Sequence, residues 1–348
     1  MSSPPADRHG PHLFLVLLAL AAFVALVGGT AHLEPARASG EPAGVAAPAA
    51  PARSDGAVGD ARPAPGATLP APTPTPTPTP APAPTDGAVL PGGGTRIFAD
   101  HRLLVAYYGT AGSGALGVLG EAGPEQIVPR LLRAAAPFGR TGRTVQPVFE
   151  LIATVAHAGP TAAGTYSSNI RAAQVRQYIE AAHRHGILVV LDLQPGRADF
   201  LDVAKTWAWA LKDPWVGLAL DPEWRMGPHG VPGRRIGSVG AAEVNRVSAW
   251  LEDLTVRNGL PEKVFMLHQF RPEMIRNVER VADRPHLALV QHVDGFGTPS
   301  EKMATFRRVV RPQQFALGFK LFYDEDVPRM RPAQVLAIRP RVSFVSFQ

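Results

Sequence analysis

The residues best placed to do chemistry are Asp221 and Glu223, in the run Gly217-Leu218-Ala219-Leu220-Asp221-Pro222-Glu223-Trp224. Side chains alternate along an extended strand, so Gly217, Ala219, Asp221 and Glu223 share one face and Leu218 and Leu220 the other. Two carboxyl groups this close in poorly hydrated surroundings resist ionising together, which moves one pKa toward the range of a general acid. That is the chemistry of donating a proton to a leaving group. A purely structural reading instead has Asp221 capping a turn and Glu223 paired with Arg225.

Further polar residues end, or closely follow, other apolar runs: Tyr107 and Tyr108, Glu150, Asp192 and Gln194, His268 and Gln269, Gln291, His292 and Asp294, and Lys320, Tyr323 and Asp324. Trp224, Tyr107, Tyr108 and Tyr323 have rings suited to stacking on pyranose faces, although strand alternation sends one of Tyr107 and Tyr108 outward. Gln194, Gln269, Gln291 and Lys320 are suited to bonding sugar hydroxyls. Asp192, Glu150 and Asp294 are each open as the second carboxylate in a two-carboxylate mechanism with Glu223. Trp207, Trp209 and Trp250 fall on helical patterns and are assigned to packing.

The elements that must position these residues follow from the alternation of the chain. Candidate strands are Leu103–Tyr108, Val145–Ile152, Ile187–Leu193, Val216–Glu223, Val264–Gln269, Leu287–Val293, Phe315–Phe322 and Val342–Phe347. Between them lie helical patterns over Pro124–Phe138, Asn169–His185, Asp199–Leu211, Ala241–Arg257, Pro272–Ala282 and Pro299–Val310. Continuous apolar strands separated by amphipathic helices indicate a parallel sheet covered by helices, and this many units predicts a (β/α)8 TIM-type barrel in the α/β class. In such a barrel the active site lies at the C-terminal ends of the strands, where the polar residues above accumulate. No phosphate-binding glycine loop follows the first strand. The chain stops at Gln348, so the eighth strand has no helix after it, and segment 94–102, or nothing, covers that flank. The Gly-, Ala- and Thr-rich stretch His157–Ser168 is long for a βα loop and reads as a lid or a plain insertion.

The Asp-x-Glu pair ending the fourth strand of an expected barrel resembles the signature of chitinase-type and Chalaropsis-lysozyme-type glycoside hydrolases. The resemblance implies a glycosidase in which Glu223 protonates the glycosidic oxygen and Asp221 assists the substrate's own N-acetyl group. Ala219 stands where the chitinase pattern has a further acidic residue, and the first strand lacks the aspartate of the lysozyme pattern. Two other readings are a glycan-binding barrel without catalysis and a metal-dependent hydrolase built on His268 and His292. The last resembles amidohydrolase-type barrels, whose His-x-His on the first strand is absent here. No metal and no cofactor are assigned.

The chain has 348 residues, no cysteine, 36 prolines and 34 glycines. Lacking cysteine, it has neither disulfides nor thiolate metal sites. Leu13 to Val27 is an unbroken apolar run expected to act as a signal peptide (1–31, with a cleavage site at Gly29-Thr30-Ala31) or as a retained signal anchor. Residues 32–93, with the Thr-Pro repeats of Thr73 to Pro80, read as a disordered proline-rich linker, and 94–348 as the barrel domain. These features predict an extracellular or cell-surface protein that meets the membrane only through its N-terminal segment. Of the acidic and basic residues, 1–93 holds 4 Arg and 6 Asp/Glu, leaving 94–348 with a net charge of +8. That surface suits anionic partners, and outside the membrane a polysaccharide or peptidoglycan is expected rather than nucleic acid. The sequence leaves oligomeric state open.

Overall fold

A computed structural model describes residues 87–348. The proposed export segment and most of the proline-rich stretch lie outside the described residues. Among the described residues, no helix is long and apolar enough to cross a membrane.

Eight strands form a closed parallel barrel: β1 (Leu103–Thr110), β2 (Val145–Ala156), β3 (Leu188–Leu193), β4 (Val216–Leu220), β5 (Lys263–His268), β6 (Leu287–Val293), β7 (Ala316–Leu321) and β8 (Val342–Phe347). Each pairs with its neighbour in sequence, and β1 pairs with both β2 and β8, so the barrel has no free edge. Alternation divides each strand between two layers. Leu104, Ala106, Val148, Val190, Ala219, Met266, Val290 and Phe344 fill the interior. Leu218, Leu220, Phe265, Leu267 and Phe319 face the helices, in a larger outer core. This is the division the Gly217–Leu220 pattern predicts.

The helices are α1 (Pro124–Ala135), α2 (Ala172–His185), α3 (Phe200–Thr206), α4 (Ala208–Leu211), α5 (Ala241–Arg257), α6 (Pro299–Val309) and α7 (Pro332–Leu336). Local signals set their ends. α2 stops at Gly186, which takes the left-handed conformation (φ 65°) that glycine adopts without a Cβ penalty. α6 opens on a capping box, with Thr298 Oγ1 accepting from Glu301 N and Glu301 Oε2 accepting from Thr298 N. Trp207, between α3 and α4, is buried and donates through Nε1 to Thr154 Oγ1 at 3.0 Å, a packing role.

Three expectations need correction. Pro272–Ala282 is not a helix: two 3-10 turns, Pro272–Met274 and Val278–Arg280, flank a short strand, Ile275–Arg276, paired with Val239–Gly240. Asn277 sits in the left-handed region (φ 55°), which a continuing right-handed helix cannot contain. β4 ends at Leu220 rather than Glu223, because Pro222 has no N–H for the ladder and Asp221 caps a 3-10 turn over Pro222–Trp224. Residues 94–102 do not cover the β8 flank. Phe138, in the 3-10 turn Ala136–Thr141 after α1, does so by packing edge-on against Phe347.

The stretch from Val89 to Ile97 instead corks the N-terminal end of the barrel. Leu90 and Ile97 are buried with the interior residues. Trp215 Nε1 donates to Val89 O at 2.8 Å, Glu262 N to Thr95 O, and Ile97 N to the Glu262 carboxylate. At the opposite end, His157–Ser168 is the bend and the start of the return strand of a hairpin: Thr154–Ala156 pairs antiparallel with Ser167–Asn169, joined by residues 157–166. Gly196 (φ 60°) lets the loop after β3 run against the carbonyls of Thr165 and Tyr166, and the Arg197 guanidinium stacks 3.9 Å from the Tyr166 ring.

Candidate active site

The C-terminal ends of the strands converge on a cleft. Tyr108 (β1), Gln194 (after β3), Glu223 and Trp224 (after β4), Asp294 (after β6) and Lys320 (β7) line it, and all were singled out from sequence. Sequence reasoning missed the aromatic wall of Phe270, Phe296 and Phe322. Each phenylalanine sits one to three residues beyond a strand, a position that could have been read as cleft-facing once the strand ends were known.

Below the cleft, Glu150, Asp192, His268 and His292 are fully buried on the inner face. Register explains their meeting: Tyr108 pairs with Glu150, Ile152 with Asp192, and His268 with His292. His268 is the hub. Its Nδ1 is 2.9 Å from Asp294 Oδ2, and its Nε2 is 3.1 Å from Glu150 Oε1 and 3.8 Å from Asp192 Oδ1. Tyr108 donates its hydroxyl to Asp192 Oδ2 at 2.9 Å, while Lys320 Nζ sits 3.4 Å from the centroid of the same ring. His292 Nε2 is 2.8 Å from Ser346 Oγ.

These surroundings separate the titrating groups. Burial raises Glu223 to about 8, helped by the negative charge of Asp294. Burial also raises Asp192, to about 6, and lifts Asp221 well above the ordinary carboxylate range, with Glu223 adding to that rise. Asp294 goes the other way: burial opposes ionisation, but the His268 hydrogen bond and charge hold its pKa below the ordinary value. Burial likewise disfavours a charged His268, yet Asp192, Asp294 and Glu150 together hold its pKa well above that of free imidazole. His292 is kept neutral, its pKa lowered by burial to about 3.

Asp221 and Glu223 play different parts. Asp221 is buried, and its Oδ1 accepts from Glu223 N at 3.3 Å, so it shapes the turn that carries Glu223. Arg225 pairs with Glu243 at 2.8 Å and not with Glu223. Among the described residues the Glu223 carboxyl has neither an ion pair nor a side-chain hydrogen bond, and it lines the cleft.

Other candidates lie elsewhere. Tyr107 points outward, its hydroxyl 3.2 Å from Arg130 O and 3.3 Å from Tyr323 OH, and Tyr323 stacks on Phe347. Gln291 Nε2 donates to Gln269 Oε1 and Val309 O, and its Oε1 accepts from Arg311 N. Gln269 also donates to Arg271 O, so the two glutamines tie the loop after β5 to the end of α6.

For metal binding, Glu150, His268 and His292 each offer one ligand atom, all within 4.8 Å of one another. Several buried polar atoms of the site lack a hydrogen-bond partner, among them Trp224 Nε1, Asp294 Oδ1 and both Glu150 oxygens.

Fold and site together define a closed eight-stranded parallel barrel of the α/β TIM type, with an acidic, aromatic-walled cleft at the C-terminal ends of its strands. Compared with known proteins, the chain matches no family model, and no curated protein is detectably similar to it in sequence.

Proposed function

We propose that this protein is a glycoside hydrolase acting outside the membrane on a cell-wall or extracellular polysaccharide, with Glu223 as the general acid. One observation carries the reading: Glu223 and Asp294 line the same cleft with their pKa values driven apart, Glu223 up to about 8 and Asp294 below its ordinary value. One carboxyl is thereby kept as a proton donor and the other as an anion at neutral pH, the division of labour a two-carboxylate glycosidase needs. Glu223 would protonate the glycosidic oxygen. Asp294 would meet the developing positive charge at the anomeric carbon, by direct attack or by activating water. Among Asp192, Glu150 and Asp294, this favours Asp294 as partner, because the other two lie beneath the cleft.

Asp221 supports Glu223 through the turn it caps, which does not favour assistance by the substrate's N-acetyl group. Trp224, Phe270, Phe296 and Phe322 offer apolar faces for sugar rings. The aromatic wall would serve equally in a glycan-binding barrel without turnover.

The test is release of reducing ends from peptidoglycan and exopolysaccharides of known linkage. Glu223→Gln should lower turnover about 10²–10⁴-fold while leaving glycan binding in place. Unchanged turnover would sink the assignment. Binding without turnover in the unaltered protein would favour the binding module.

A further inference from the structure

We infer that Glu150, His268 and His292 form a binding site for a divalent transition-metal ion, with Zn²⁺ as its natural probe, on the floor of the barrel beneath the cleft. The readout is metal uptake, measured without turnover, so failure of this site and failure of the glycosidase reading are distinguishable.

Geometry comes first. The three ligand atoms lie within 4.8 Å of one another, and His268 Nε2 is 3.1 Å from Glu150 Oε1. Ligands bound to zinc at roughly 2.0–2.2 Å in a tetrahedral site lie about 3.3–3.6 Å apart, so the Glu150–His268 pair is already near that spacing and His292 would close in on binding.

The second observation is the state of these side chains. All three residues are 0% exposed, yet among the described residues neither oxygen of Glu150, nor His268 Nε2, nor His292 Nδ1 has a hydrogen-bond partner. The Glu150–His268 approach is close but lacks hydrogen-bond geometry. A fully buried carboxylate whose Oε1 has only the His268 approach and whose Oε2 has no partner among the described residues is costly, and a cation bound between it and the imidazoles would offset that cost.

The supporting shell fits as well. Asp294 Oδ2 sits 2.9 Å from His268 Nδ1, the carboxylate–histidine arrangement that aims the other ring nitrogen at a metal. Ser346 Oγ holds the His292 ring through Nε2, and Gly318 leaves that ring its space, since a Cβ there would collide with it. Asp192 Oδ1, also unpartnered and 3.8 Å from His268 Nε2, is within reach as a fourth donor. Two imidazoles and a carboxylate suit zinc and its neighbours rather than Mg²⁺ or Ca²⁺, which prefer all-oxygen sites.

The full chain, stripped with a chelator and dialysed, should take up one Zn²⁺ per molecule and retain no Mg²⁺. Glu150→Gln and His292→Gln should each weaken Zn²⁺ binding by about tenfold or more. His183→Gln, at an exposed His183–Asp213 pair, should leave it unchanged. Should the floor variants fail to fold, X-ray absorption of the zinc-loaded unaltered chain decides, and it should show two imidazoles in an all-nitrogen-and-oxygen shell. Absence of stoichiometric zinc, equal uptake of Mg²⁺, zinc undiminished in both floor variants, or fewer than two imidazoles would each overturn the site.

Discussion

Lys302 and Asp326 form a buried ion pair, Nζ to Oδ2 at 3.0 Å, that clips together the two loops forming the Phe296–Phe322 side of the cleft. Lys302 also donates to Gly295 O and Lys320 O, while Asp326 accepts from Gly297 N and Phe322 N. Both side chains are almost entirely buried. Removing one partner leaves the other charge uncompensated, so Lys302→Met should cost about 3–5 kcal/mol in urea denaturation. A loss below 1 kcal/mol would show that the clip contributes little.

Glu223→Gln should lose activity yet gain stability relative to the unaltered protein as pH rises. Its folded pKa, about 8, lies above the ordinary carboxylate value, so the folded state holds this proton more tightly than the unfolded chain. The contribution is therefore full at low pH and is lost as pH rises from about 4.5 through about 8. Buried Lys263, its pKa lowered by burial to about 7, works the other way above neutrality, which makes the difference between proteins the useful quantity. The melting temperature of Glu223→Gln minus that of the unaltered protein should grow between pH 5 and pH 8. A constant difference would contradict the raised pKa.

Lys320 tunes the same group. Its positive charge, at the cleft wall, lowers the pKa of Glu223 and of Asp294. Under the glycosidase reading, activity falls at high pH as Glu223 loses its proton. Lys320→Met should shift that alkaline limb upward, because the protonated acid persists to higher pH. A downward shift in the pH–rate profile would count against Glu223 as donor.

Gly318 is a packing requirement of the floor. A Cβ at this position would collide with the His292 ring, which spans the gap to Ser346. Gly318→Ala should destabilise the barrel by about 1–3 kcal/mol through overpacking, and Gly217→Ala, facing Val264 O on the inner wall, should act in the same way. Full stability in both variants would mean that the interior yields more readily than its packing implies.

The strands were legible because a parallel barrel buries both faces of each one, leaving unbroken apolar runs such as Leu188–Leu193 and Leu287–Val293. Segment 272–282 misled because Pro272, Met274, Ile275 and Val278 imitate a helical stripe, while the left-handed Asn277 and the pairing of Ile275 with Val239 are set by tertiary contact. At the site, alternation correctly turned Tyr108 inward and Tyr107 outward once the strand was placed. It could not show that Gln269 and Gln291 are engaged with each other, or that Glu150 meets His268 and His292. Those three lie far apart in sequence, and only closure of the barrel brings the second strand opposite the fifth and sixth.

The cork at the N-terminal end also fixes how the molecule would bear a load. The described chain enters beside Val89 and Leu90, at the end of the barrel away from the cleft. A pull on residue 87 is met first by the Trp215–Val89 hydrogen bond and the seating of Leu90, not by the ladders that align Glu223 with Asp294. A pull between residue 87 and something gripped in the cleft would thus run along the barrel from cork to mouth.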